Sequence, residues 1–195
     1  MQHSKGAIAT KMINRAPASR RPGNLMVNFK QQLPAMNPQL IKASKEYIGV
    51  MENLMQFYIY DFSEFVELDV AGNGLFEPYS GLGKYWEEER ERFPYFIKDD
   101  EKYLGFVLVR NIASGDKTYF SMAEFFIMKK YRKRGIGRSI ARQVFEHHRG
   151  EWQIYQKESN KPAQAFWNKI ITEYTNGLFK ERMEDGKRIQ EFVYL

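Results

Sequence analysis

Residues 131–142 read Tyr-Arg-Lys-Arg-Gly-Ile-Gly-Arg-Ser-Ile-Ala-Arg, five basic side chains around two glycines one residue apart. Two chemistries fit such a stretch. Arginine and lysine runs attract nucleic acid phosphates without regard to sequence. Glycines at a strand-to-helix junction do something different. They let the backbone approach one anion, where the first turn of a helix offers unpaired N–H groups and the positive end of its dipole. Ile140, Ala141, Val144 and Phe145 follow at helical spacing, which places Gly135 and Gly137 at a helix start. The expectation is a pyrophosphate cradle, with Arg132, Arg134 and Arg138 adding long-range attraction. The stretch has neither the Gly-Lys-Ser/Thr of a P-loop nor the third glycine of the dinucleotide fingerprint.

The location of charge separates the two readings. The net charge is +6. Residues 1–35 carry Lys5, Lys11, Arg15, Arg20, Arg21 and Lys30 and no acid, so the excess lies entirely there and 36–195 is formally neutral. A nucleic-acid-binding domain normally carries its own basic footprint, so that class becomes a minor alternative. Cysteine is absent, which excludes disulfides, a thiolate nucleophile and a cysteine zinc site. The histidines are His3 and the adjacent pair His147 and His148, and neighbours on a helix do not face one ion, so no metal is expected. No apolar run approaches the roughly 20 residues that span a bilayer. The expectation is a cytoplasmic protein with neither a membrane nor a nucleic acid partner, monomeric or homodimeric.

The elements that must position the glycine loop are legible from periodicity. Pro17, Pro22, Gly23 and Pro34 punctuate 1–35, which reads as a basic leader or flexible tail ahead of one domain, 36–195. A short strand is expected at 39–43, then a helix capped by Ser44 and carrying Tyr47, Met51, Leu54, Met55, Tyr58, Ile59 and Phe62. A long loop covers 66–80, and 82–92 reads as a second, charged helix. Strands at 95–98, 103–111 and 118–128 form a meander around Asp99-Asp100 and Ser114-Gly115-Asp116. The helix after the glycines is expected to end at Gly150, followed by a strand at 152–156. A helix through Ala163, Phe166, Trp167, Ile170, Ile171 and Tyr174 comes next, and a hairpin turning at Asp185-Gly186 closes the chain. This order makes a mixed α/β sheet.

Arg132-Lys133-Arg134-Gly135-Ile136-Gly137 resembles the R/Q-x-x-G-x-G/A signature of the GNAT N-acetyltransferase superfamily. Asn160-Lys161-Pro162-Ala163-Gln164-Ala165-Phe166 resembles its second motif, N-x-x-A-x-x-F/Y. The element order resembles the family's over about 38–195. The resemblance implies an α/β fold with a mixed, mostly antiparallel sheet, a splayed central parallel strand pair and about four helices. It implies acetyl-coenzyme A as co-substrate, with the pyrophosphate on the amides of 134–139, thus Arg134, Gly135, Ile136, Gly137, Arg138 and Ser139. Backbone at Ile127, Met128 and Lys129 would pair with the pantetheine arm, and an N–H near Ile127 would stabilise the oxyanion. Asn160 would touch that arm or simply cap its helix. Phe166 completes the second motif.

The implied reaction is direct attack by a primary amine on the thioester, which needs a base. Glu124, three residues before Ile127, is the expected base. Trp167 stands where the family often has a tyrosine that protonates the departing thiolate, so that task falls to water or to another tyrosine such as Tyr155 or Tyr174. The acceptor is expected beside Tyr58, Asp61, Phe62 and Glu64, where acids among aromatics suit a cation through charge pairing and cation–π contact. An acyl-coenzyme A-binding sensor without turnover is the alternative.

Overall fold

The computed structural model describes residues 36–195; the leader expected over 1–35 lies outside the described residues. Seven strands form one sheet: β1 (Gln39–Lys42), β2 (Arg92–Asp99), β3 (Lys102–Ser114), β4 (Lys117–Ile127), β5 (Gly150–Lys157), β6 (Lys180–Glu184) and β7 (Lys187–Tyr194), in the order β1-β2-β3-β4-β5-β7-β6. Only β4 and β5 pair in parallel; every other neighbour is antiparallel. Among the described residues three α-helices accompany the sheet, α1 (Ile48–Phe62), α2 (Ile136–His147) and α3 (Lys161–Thr175). Left-handed residues turn the antiparallel connections: Asp100 between β2 and β3, Gly115 between β3 and β4, and Asp185 with Gly186 between β6 and β7.

Side-chain alternation along β3 splits the core in two. Val107 and Val109 pack with Ile140, Val144, Phe145, Trp152, Trp167 and Ile171, beneath α2 and α3. Phe106 and Leu108 pack with Met51, Leu54, Met55 and Ile59, beneath α1. Successive strand residues face opposite sides, so α1 covers one face and α2 with α3 the other.

Three expectations about local structure are corrected. The charged helix at 82–92 does not form; Gly83–Trp86 makes one 3-10 turn, and β2 begins at Arg92. Leu82, Tyr85 and Trp86 are buried at one-turn spacing, but the next turn would offer only Glu89 and Arg90. The turn is tied down by Trp86 Nε1, which donates to Ala43 O at 2.8 Å. Ser44 does not cap α1: its hydroxyl donates to the Glu46 carboxylate at 3.0 Å, and a 3-10 turn, Lys45–Tyr47, leads into the helix. Gly150 opens β5 at φ 136° instead of ending α2, whose last residue is His147. Among the described residues no helix is long and apolar enough to cross a membrane.

Candidate active site

The parallel pair is joined over only two positions, Phe120↔Trp152 and Ser121↔Gln153. Beyond them β4 and β5 separate, and a cleft opens in the middle of the sheet. A bulge in β4 prepares its wall. Leu108 faces Glu124 and Val109 faces Met122, so Ala123 is an extra residue in β4. The shift in parity leaves Met122 in the core under α2 and α3, while Glu124 stands on the α1 side with Leu108. Met128 N–H donates to Leu104 O at 2.9 Å, so Met128 faces β3, and the alternating backbone of Phe125 and Ile127 faces the cleft. Gly105 lets β3 come this close: a Cβ there would lie 1.9 Å from Phe126 O.

The backbone open to a ligand differs from the expected Ile127–Met128–Lys129 run. The Met128 and Lys129 carbonyls accept from Tyr131 N at 2.9 Å and Arg132 N at 3.2 Å, within a 3-10 turn. Ile127 O accepts from Arg132 Nε at 2.7 Å. What remains is the upstream edge, with the N–H groups of Phe125 and Ile127.

The glycine loop leads into α2 as expected, but its two glycines serve different ends. Gly135 is the residue before the helix, at φ 78°, and Lys133 two positions earlier is also left-handed, at φ 59°. Ser139 N is the first amide to bond within the helix, to Gly135 O at 3.1 Å, so the N–H groups of Ile136, Gly137 and Arg138 point out of its end. Gly137 is small for packing: a Cβ would lie 3.0 Å from the Phe166 ring. Phe166 packs between Phe125, which is tilted against it, and Trp167, which meets it edge-on, and backs the helix start. Arg138 reaches away to Glu173, and its carbonyl accepts from Tyr174 at 2.9 Å, which engages the Tyr174 hydroxyl at the start of α2. Arg134 approaches the Met36 sulfur at 3.8 Å, and Ser139 Oγ lies 3.5 Å from Gln143 Nε2. Asn160 caps α3, its Oδ1 accepting from Ala163 N at 3.0 Å. Trp167 is buried against Phe125, Phe145 and Phe166.

On the other side of the cleft Glu124 is held by two phenols. Tyr58 from α1 donates to one carboxylate oxygen, and Tyr79 donates to the other at 2.8 Å. Burial pushes the Glu124 carboxyl up, while the Tyr58 and Tyr79 hydroxyls and the nearby Arg110 charge oppose this. Tyr58 and Tyr79 are themselves driven far up, first by burial and then by the Glu124 charge, so both stay protonated and donating. Tyr155 on β5 is partly exposed, and partial desolvation together with the Glu124 charge raises it. Arg110 Nε lies 3.2 Å from Tyr85 OH behind this group. Among the residues expected around the acceptor, Tyr58 stacks on Phe62 at 5.5 Å and Glu64 is exposed. Asp61 is engaged within the protein: Lys129 Nζ lies 3.0 Å away and Arg132 makes a short contact to it, which holds its carboxyl low against the effect of burial. Arg132 therefore clamps Ile127 O and Asp61 and lies over the Phe126 ring, in place of the ligand-facing role expected of it.

Tyr79, Arg110 and Tyr85 were not singled out from the sequence. The one available signal was the length of the 66–80 segment, since loops that long are seldom idle. No lysine or arginine occurs between Lys45 and Lys84, while Glu46, Glu52, Asp61, Glu64, Glu67, Asp69 and Glu77 all fall there. The α1 side is thus acidic and aromatic, and the α2 side is basic. Among the described residues no three His, Cys, Asp or Glu side chains converge to hold a metal.

The model of the acetyltransferase (GNAT) family matches residues 53–171. No curated protein matches the sequence. Solved structures share the fold at low identity. A GNAT family acetyltransferase from Streptococcus agalactiae is 12% identical, with TM-score 0.57 over 81% of this chain and 96% of its own. PaiA N-acetyltransferase from Thermoplasma acidophilum, in complex with coenzyme A, is 16% identical, with TM-score 0.53 over 82% and 100%. Spermidine N-acetyltransferase from Vibrio cholerae, in complex with CoA and spermine, is 12% identical, with TM-score 0.54 over 80% and 95%.

Proposed function

The chain belongs to the acetyltransferase (GNAT) family, and on that premise we propose that it moves an acetyl group from acetyl-coenzyme A to a primary amine by direct attack on the thioester. The observation that carries this reading is one cleft with two unlike walls: outward-pointing amides at the start of α2 on one side, and a buried, tyrosine-held carboxylate on the other. The left-handed turn at Gly135 and the amides of Ile136, Gly137 and Arg138 suit a pyrophosphate. Arg134 adds attraction from the loop, and Ser139 follows in the first turn of α2. The open edge at Phe125 and Ile127 suits the amide groups of the pantetheine arm, as an added strand would. Bound acetyl-coenzyme A supplies the thioester.

The chain's own groups do the rest. Ile127 N–H donates to the oxygen on which charge develops. Glu124, raised above the ordinary carboxylate range by burial, takes the proton the ammonium must lose, directly or through water. Tyr155, kept protonated beside Glu124, is the donor for the departing thiolate in place of the buried Trp167. Coenzyme A thiolate is a tolerable leaving group, since model thiols ionise at about 8.5. Tyr58, Phe62 and Glu64 border the acceptor, and the acidic 46–83 segment favours a cation. The setting we propose is cytoplasmic.

The test titrates acetyl-coenzyme A against thermal unfolding and then screens amines for thiol release. Ligand at about 100 times its dissociation constant stabilises by about 2.7 kcal/mol. No shift at millimolar ligand overturns the reading, and a shift with no thiol release over a broad amine panel favours the sensor.

A further inference from the structure

The segment from Ser63 to Leu82 contains the long loop expected over 66–80, and it is docked at named points. The Gln56 amide grips the Phe76 backbone twice: Phe76 N donates to Oε1 at 2.9 Å and Nε2 donates to Phe76 O at 3.2 Å. Ser159, in the β5–α3 connection, donates to Phe65 O at 3.2 Å. A tight turn at the tip is closed by Ala71 N to Leu75 O at 2.8 Å. From this docked segment Tyr79 reaches Glu124 Oε1, while Phe76 and Tyr79 pack on the α1 core.

A carboxylate in a desolvated site needs donors on both oxygens to remain ionised and oriented. Tyr58 comes from a helix that is fixed by its buried face. Tyr79 comes from a segment without helix or strand, held by the Gln56 and Ser159 grips and by Phe76, Tyr79 and Leu82 against the α1 core. We propose that Tyr79 is a positioning residue for the transfer reaction: it orients Glu124 through its hydroxyl, and it is delivered by docking of the 63–82 segment, so the base is complete only when that segment is seated against α1. The proposal rests on the reading of Glu124 as the base. Acceptor entry past Phe62 and Glu64 and the readiness of the base then depend on the same segment.

Glu124 is faced by Tyr58 from α1, Tyr79 from the segment, Arg110 from β3 and Tyr155 from β5, with Tyr85 behind Arg110. Of these, Tyr79 alone leaves Glu124 if the segment lifts. Removing its hydroxyl takes one donor from the ionised form and raises the pH at which Glu124 loses its proton.

The test is the pH profile of kcat/KM for acetylation of an amine found in the screen. In Tyr79→Phe, which keeps the ring in place, the acidic limb moves to higher pH by about one unit, and activity recovers well above it. Gln56→Ala, which removes the grip on Phe76 without touching Glu124, moves the limb the same way. The double variant moves it no further than the larger single shift. A uniform loss at all pH values with an unmoved limb in Tyr79→Phe assigns Tyr79 to packing and overturns the proposal. So does a Gln56→Ala limb that stays at the wild-type pH. Glu124→Gln separates this from failure of the base reading: if that variant retains wild-type turnover, the base itself is misassigned.

Discussion

The two walls of the cleft are built by opposite means. The α2 wall is one contiguous stretch, and it works through backbone: a left-handed Gly135, outward amides and a Gly137 shaved to fit Phe166. The α1 wall works through side chains brought together from afar, since Tyr79 and Tyr58 reach Glu124 from 45 and 66 positions away. Backbone chemistry constrains residue type at fixed spacing and writes a motif. Convergent side-chain chemistry constrains only where elements pack, and writes nothing local.

Substitutions that disable one wall and spare the other test this contrast. The largest effect is expected from Glu124→Gln, which should lower kcat/KM by about 10²–10⁴-fold while leaving the thermal shift with acetyl-coenzyme A intact. If that shift vanished too, the walls would not be independent. Gly137→Val comes next. Its side chain must displace a Phe166 ring already 3.0 Å from the modest Cβ, so the roughly 2.7 kcal/mol of ligand stabilisation should disappear while far-ultraviolet circular dichroism is retained.

Gly105→Ala strikes the strand between the walls. A Cβ 1.9 Å from Phe126 O must push β4 aside, and the urea midpoint should fall by an amount worth about 1–3 kcal/mol. Asp61→Asn is the smallest, about 1 kcal/mol or less, because Lys129 and half-exposed Arg132 share solvent. It should weaken ligand binding and turnover together, since Arg132 links α1 to Ile127; an effect on one alone would show the clamp to be local.

These comparisons belong above pH 7. Burial brings the His148 imidazole down to about 4, where Tyr95 OH holds its Nε2 at 2.8 Å. The folded protein favours neutral His148, so that stabilisation is complete above the unfolded value of about 6.5 and is lost as pH falls from there toward 4. The melting temperature at pH 5 should lie below that at pH 7.5, and His148→Phe should narrow the gap.

What could be read in the chain follows the same divide. The strands and hairpins were legible because turn residues such as Asp185-Gly186 and two-residue alternation are local signals. The α2 loop was legible for the same reason. The helix expected at 82–92 was not, because its charges mimic a solvated helix face while its buried residues support only one turn. The chemistry of Asp61 and Arg132 alone points toward a ligand, and only the packing of α1 against the 3-10 turn reveals that they meet. Tyr79 had no signal beyond the length of its loop.

The short contact between β4 and β5 has a mechanical consequence. With two rungs joining them, the two half-sheets are held less by hydrogen bonds than by the shared apolar layer of Val107, Val109, Met122, Trp152, Ile154 and Phe192. The protein thus carries an unlaced seam through its centre. A ligand that pairs along the free edge of β4 would supply the missing rungs. Amides at Phe125 and Ile127 would then pass from fast to slow hydrogen exchange, and the substrate would serve for a moment as part of the architecture.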